Sequence, residues 1–487
     1  MDELLARSAL DLASLVRRRE VSPVEVAEAS LRRAERLDDR LGMFVTRTPE
    51  RALEQARAAQ ALVMGADESA DLPALLGVPC PVKDLNPVTG VRLTLGSAAF
   101  AEQVAGVDDG VVTLLERAGT LMTGKTNTPE LGLPCYTEPE VAPPARTPWD
   151  ATRGAGGSSG GAAAVVSAGV APIAAGSDGG GSIRIPASSC GLVGLKPTRG
   201  RVSPGPYGVD VAGFAVNGPL ARTVADAAAL LDAMCASWPG DVTALPGPVT
   251  TFLDASRRTP PRLRVGLLTE PVIAADAAVH PACVEAAESV GRALADLGHH
   301  VEQVGVPFPA ERWSDFSSVW AALAASVPVP PDREHLLRPL TRWLRGRGRS
   351  VTAVDYVTAI AGTQVLARQV AAAWAGYDVV LSPTLADLPA VVGSLRDDED
   401  PAGDFAAQTR FTPWTSVWNL IGRPAVSLPL GWYESDGVRL PVGVMLGAGL
   451  GAEELLLALS GELERALPWA PRYEPMWARI RAEPGFV

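Results

Sequence analysis

The chain has 487 residues, with 43 basic against 55 acidic side chains and a formal net charge of −12. That balance repels phosphate backbones and anionic bilayer surfaces, which sets nucleic acid and membranes aside as partners, and every apolar stretch is broken short of the roughly 20 residues a spanning helix needs. The histidines, four in number, and the five dispersed cysteines without C-x-x-C spacing exclude a His-rich metal centre and fit reduced thiols in a cytoplasmic protein.

The opening run, MDELLARSALDLASLVRRREVS, is amphipathic and lacks the basic start and continuous apolar core of a secretory leader. Ser22-Pro23-Val24-Glu25 has the form of a capping box with proline at the first helical position, and predicts a helix within an N-terminal arm over about 1–70. LLGVPCPVKDL predicts a short, proline-punctuated strand with Lys83 near its end, where burial could strip water from the ammonium. A helix is expected over 110–118, a strand over 120–123 and a Pro/Gly/Ser-rich loop over 139–161. The small, apolar run AAAVVSAGVAPIAAGSD then predicts a helix and a strand packed between layers, within a core of about 71–235.

Beyond it, in the remaining part over about 236–487, residues 263–306 read strand, helix, strand, with Cys283, Ala287, Val290, Leu294 and Leu297 on one helical face and Gly298 as cap. YDVVLSPT and the pair PAVSLPL/LPVGVML, joined through Ser435-Asp436-Gly437, read as sheet strands, and AEELLLALSGELERAL as a closing amphipathic helix. The alternation implies a layered α/β fold. The basic stretch within 333–349 reads as a solvated face, with 310–350 as a candidate lid, and the acidic run RDDEDPAGD at 396–404 reads as a loop with no function attached.

Chemistry concentrates in two glycine-serine loops. Gly179, Gly180 and Gly181 before Ser182 would let main-chain N–H groups approach a ligand closely, as an oxyanion hole requires. The loop Gly156–Gly161 carries Ser158 and Ser159, and the intervening apolar helix-strand unit could fold the two loops together so that one hydroxyl relays a proton to another. Taken singly, either loop is an ordinary small-residue turn. Asp178 and Arg184 flank Ser182 and read as a structural ion pair.

Two other patterns occur. Residues 119–126 match a phosphate-binding loop, yet 120–123 read as strand and Asn127-Thr128-Pro129-Glu130 restarts with its own cap where that motif needs a continuing helix. Gly157–Gly161 matches a hydrolase nucleophile elbow centred on Ser159, but residues 143–156 read as loop where a strand is required, and His280, His299, His300 and His335 lack catalytic surroundings.

GGSSGG, DGGGSIRIP at Asp178–Pro186 and CGLVGLKPT together resemble the amidase signature family. VPCPVKD at 78–84, GKTNTPE at 124–130, TPWD at 147–150, SPT at 382–384 and NLIGRPAVSLP at 419–429 spread that resemblance over nearly the whole chain. The resemblance implies one domain over 1–487, an α/β/α sandwich around a large mixed sheet. It implies Ser182 as nucleophile, Ser158 as bridging serine after a cis Gly157–Ser158 peptide, Lys83 as base, Gly179, Gly180 and Gly181 as oxyanion donors, and a structural Ser159. The chemistry is coherent without the family: with histidine scarce, a buried neutral lysine can activate a serine, and no cofactor is needed.

The loop LGLPCYT is expected on the acyl side of the substrate, with Gly132, Leu133, Cys135 and Tyr136 as binding candidates and an apolar or small amide as substrate. PTRGRVSPGP and EPE look like the bacterial branch that holds the 6-aminohexanoate cyclic dimer hydrolase and the aryl acylamidases. The family also implies a homodimer. Its carbamate-cleaving members and the amidase subunit of the tRNA-dependent amidotransferase stand as alternatives, the second made less attractive by the acidic composition.

Overall fold

This computed structural model describes residues 4–67, 70–435 and 437–482. Ser22 builds the predicted capping box: its hydroxyl accepts from Val24 N–H, its own N–H donates to Glu25, and the helix Pro23–Leu41 follows. Val26, Ala27, Leu37 and Leu41 form the buried stripe of that helix.

The strands are β1 (Phe44–Arg47), β2 (Val82–Lys83), β3 (Gly124–Thr126), β4 (Ile173–Asp178), β5 (Val193–Lys196), β6 (Val216–Ala221), β7 (Arg264–Leu267), β8 (His300–Gln303), β9 (Val379–Pro383), β10 (Ala425–Ser435) and β11 (Val438–Ala448). They hydrogen-bond in the order β1-β3-β2-β4-β6-β5-β10-β11-β9-β7-β8, one 11-stranded sheet. β3, β2 and β4 run parallel to one another, as do β8, β7 and β9. The pairs between these two groups are antiparallel, which makes the sheet mixed. The expected α/β architecture is therefore realised, with helices such as Gly160–Ser167 and Val224–Met234 buried along their length against the sheet.

Several local expectations shift. The strand expected over 120–123 forms at β3 instead: Leu121 makes only an isolated bridge to Pro79, and continuous pairing with β1 and β2 begins at Gly124. The helix of the 263–306 unit spans Pro281–Asp296, and Leu297, expected on its buried face, is its half-exposed C-cap. The basic stretch is not wholly solvated. Its helix Pro339–Ser350 buries Leu340, Leu344 and Arg345, because the Arg345 guanidinium donates to the carbonyls of Ala324 and Val327 at 2.7 and 2.9 Å. The acidic run likewise ends inside the helix Pro401–Phe411, where Asp404 is buried. Asp436, the centre of the expected hairpin turn, lies outside the described residues.

Candidate active site

β2 ends on Lys83, and its parallel pairing with β4, Val82 opposite Ala175, brings the Lys83 amine beside Ser177. Lys83 Nζ lies 2.8 Å from Ser158 Oγ, 3.0 Å from Ser177 Oγ and 3.3 Å from the Ser177 carbonyl. The side chain is fully buried. Burial pulls its pKa down to about 7, against the opposing charge of Asp178.

Ser158 follows a cis Gly157–Ser158 peptide, as expected. The next residue fastens the two serine loops together: Ser159 N–H donates to the Ser182 carbonyl at 3.1 Å, and the Ser159 hydroxyl donates to the Ser177 carbonyl at 3.1 Å. Ser159 is thus held by the backbone of β4 and serves as a tether, and no strand precedes it, contrary to the elbow pattern. Among the described residues no hydrogen bond joins the Ser158 and Ser182 hydroxyls, so the contiguous chain is Ser177–Lys83–Ser158, with Ser182 on the adjoining loop at the wall of a cavity.

The loop that carries Ser182 is braced by ions. Arg184 donates to both Asp178 oxygens at 2.9 Å, with both side chains fully buried, and to the Thr415 carbonyl and Asn419 Oδ1 at 2.7 Å. Asn419 Nδ2 returns a bond to Asp178 Oδ1 at 2.8 Å. Burial disfavours the Asp178 charge, but the Arg184 guanidinium outweighs it and holds the carboxyl below the usual carboxylate range. The reading of these two as structural matches this geometry.

The three glycines are not equivalent. Gly181 N–H already donates to Asp178 Oδ1 at 2.7 Å, while the Gly180 carbonyl is fixed by the Thr415 and Ser416 hydroxyls at 2.8 and 2.9 Å. Gly181 has φ +129°, and a Cβ there would lie 2.5 Å from Thr415 Oγ1. Only glycine fits that place.

Gly180, Leu133, Cys135 and Ile185 are among the residues lining the cavity at Ser182. Gly132 lies just behind: a Cβ on it would stand 3.5 Å from Ser158 Oγ and 2.7 Å from Leu85. Tyr136 has a different setting from these neighbours. It is not among the residues lining this cavity, and its buried hydroxyl donates to Asp404 at 2.6 Å, so it anchors the loop to the helix Pro401–Phe411. The aromatic part of the lining was not foreseen. Trp313, Phe316 and Trp320 stack in series at centroid distances of 4.2 and 5.6 Å, and Phe405 and Gln408 also line the cavity. Helical spacing of the three aromatics was the available signal, but such a stripe reads equally as core.

The motif decoys resolve structurally. Lys125 is buried in β3 and paired with Asp84 at 2.9 Å, with no helix starting at Gly124. His280 caps a helix, His299 bonds Glu462 and the Leu263 N–H, and His300 is exposed beside Glu302. Among the described residues no His/Cys/Asp/Glu group could hold a metal ion, and no helix is long and apolar enough to cross a membrane.

A serine-rich loop pair around a buried lysine, set at one side of a mixed sheet, defines an amide-hydrolase architecture. The chain belongs to the amidase family, whose model matches residues 25–457. It is 35% identical to the 6-aminohexanoate-cyclic-dimer hydrolase of Paenarthrobacter ureafaciens, over 94% of this chain and 94% of that one. The structure of a 6-aminohexanoate cyclic dimer hydrolase complexed with substrate superposes with a TM-score of 0.87 at 33% identity, covering 97% of this chain and 99% of the other. A bacterial aryl acylamidase of the amidase signature enzymes gives a TM-score of 0.85 at 25% identity, covering 97% and 99%.

Proposed function

We propose that this amidase cleaves neutral, largely apolar carboxamides through an acyl-enzyme on Ser182, with Ser158 and Lys83 as proton relay. The observation that carries the reading is the 2.8 Å contact between a fully buried lysine amine and the Ser158 hydroxyl. A serine hydroxyl needs a base to become a nucleophile. An amine whose pKa has fallen to about 7 has a substantial neutral fraction at physiological pH.

In this mechanism Ser182 Oγ attacks the amide carbon while its proton passes to Ser158 and the Ser158 proton to Lys83 Nζ. The oxyanion is met by the amides of Gly179 and Gly180, with Gly181, whose N–H is held by Asp178, shaping the turn. The C–N bond then breaks as Ser158 protonates the departing amine and recovers a proton from Lys83. Water repeats the sequence on the ester, releasing the acid and free Ser182.

No side chain lining the cavity carries a formal charge. A substrate ammonium or carboxylate would lose its hydration there without compensation, which favours uncharged substrates over the glutamine that an amidotransferase subunit must recognise. Family resemblance supports a cytoplasmic homodimer that needs no nucleic acid or cofactor. The test is amine release by the purified protein from aliphatic, aryl and cyclic amides and carbamates, with Ser182→Ala alongside. Turnover that Ser182→Ala abolishes is expected; turnover that survives this substitution would remove Ser182 from the mechanism.

A further inference from the structure

The cavity's polar side chains other than Ser182 can be sorted by which hydrogen-bonding capacity the protein has already used. Ser416 donates to the Gly180 carbonyl at 2.9 Å, Thr409 to the Phe405 carbonyl at 2.9 Å and Thr412 to the Gln408 carbonyl at 2.9 Å. A hydroxyl has a single hydrogen, so these three can offer a ligand only lone pairs.

Gln408 differs. Its Oε1 accepts from the Cys135 N–H at 2.8 Å, and its Nε2 donates to Asp404 Oδ1 at 2.5 Å. The backbone donor fixes which end of the amide is oxygen, since an N–H can bond only an acceptor. Asp404 is fixed in turn by Tyr136 Oη at 2.6 Å and by the Asp397 N–H at 3.2 Å. One Nε2 hydrogen therefore remains without a partner among the described residues, on a side chain 6% exposed that borders the cavity.

We infer that Gln408 is a specificity-determining residue: its remaining Nε2–H reads a second carbonyl of the substrate, away from the scissile bond, so that the enzyme prefers amides carrying a further neutral acceptor, such as diamides. This rests on the assignment of the Ser182 cavity as the substrate site. An N–H rigidly held in a lining whose Ser416, Thr409 and Thr412 hydroxyls have already spent their hydrogens is satisfied by a substrate acceptor and left unmet by a methylene at the same place. The two buried bonds of Gln408 hold the donor in position before binding, so little ordering is lost on contact.

The test uses matched p-nitroanilides in which one methylene of the acyl chain is replaced by a ketone at successive positions, together with alkyl amides substituted likewise in the amine chain. In the wild type, at least one ketone position should raise kcat/KM about tenfold over its methylene counterpart, the ratio that one neutral hydrogen bond supports. In Gln408→Met that ratio should fall to about one while the all-methylene substrate is still turned over. Equal kcat/KM for every pair in the wild type overturns the inference without any variant having to fold. A preference that survives in folded Gln408→Met also overturns it. Ser182→Ala run on the same substrates separates the two levels: activity retained there indicts the site assignment and not Gln408.

Discussion

At the residue scale the decisive quantity is the charge on Lys83. Three neutral oxygens surround Nζ, two hydroxyls and one carbonyl, and no carboxylate is hydrogen-bonded to it. A proton on this amine is therefore destabilised by burial, which is what would free it to act as the base of the proposed relay. The rate constant kcat/KM should rise with pH through about 7, as the amine loses its proton, and then level off. A profile flat from pH 5.5 to 8.5 would contradict this. Lys83→Arg should be inactive to within about a thousandth of the wild-type rate or less, because a guanidinium cannot be neutral in this range; single-turnover acylation measures it directly. Lys83, Ser158 and Ser182 could be singled out in the sequence because each sits in a short local motif. The engagement of the Gly181 amide by Asp178 was not, since nothing in a run of three glycines says which N–H the preceding carboxylate will take.

Among the elements, the helix Pro401–Phe411 links the LGLPCYT loop to the rest of the cavity through Tyr136, Asp404 and Gln408. Sequence placed Tyr136 on the substrate side and left Asp404 in an acidic loop with no function attached, and neither reading foresaw that the two pair. A tyrosine in an apolar loop and an aspartate in an acidic run each look self-explanatory until a contact between positions 268 residues apart pairs them. Tyr136→Phe should leave a buried carboxylate one donor short and cost about 1–3 kcal/mol of stability in urea unfolding. KM should stay within about twofold, because the hydroxyl is engaged by Asp404 and Tyr136 is not among the residues lining the cavity; a large rise in KM with unchanged stability would place Tyr136 at the substrate. The aromatic wall was hidden by a similar ambiguity, since Trp313, Phe316 and Trp320 have the spacing of any buried helical face.

For the molecule as a whole, α/β alternation was readable from the strand-helix-strand runs, while the strand order was not, because β10 and β11 enter between β5 and β9 from the far end of the chain. The interior also holds several groups whose protonation is tied to folding. Lys83 and Lys196 are both lowered by burial from 10.5 to about 7. Between those values the unfolded chain binds protons that the native state does not, so their contribution to stability rises with pH from about 7 towards 10.5. Glu130 and Glu464 are raised by burial from 4.5 to about 7, which makes the native state the tighter proton binder there and lowers stability as pH rises through that window. Lys196→Met should therefore flatten the rise of Tm between pH 7.5 and 9.5; an unchanged slope would show that Lys196 keeps its proton in the native state.

The brace on the Ser182 loop has a consequence for synthesis. Asp178, Arg184 and Ser182 leave the ribosome first, and Thr415, Ser416 and Asn419, which hold them, emerge only after more than two hundred further residues have been made. A nascent or truncated chain ending before Thr415 should carry the whole proposed relay and yet be silent, so hydrolysis would begin only once the segment from Thr415 to Asn419 has been made and has folded back.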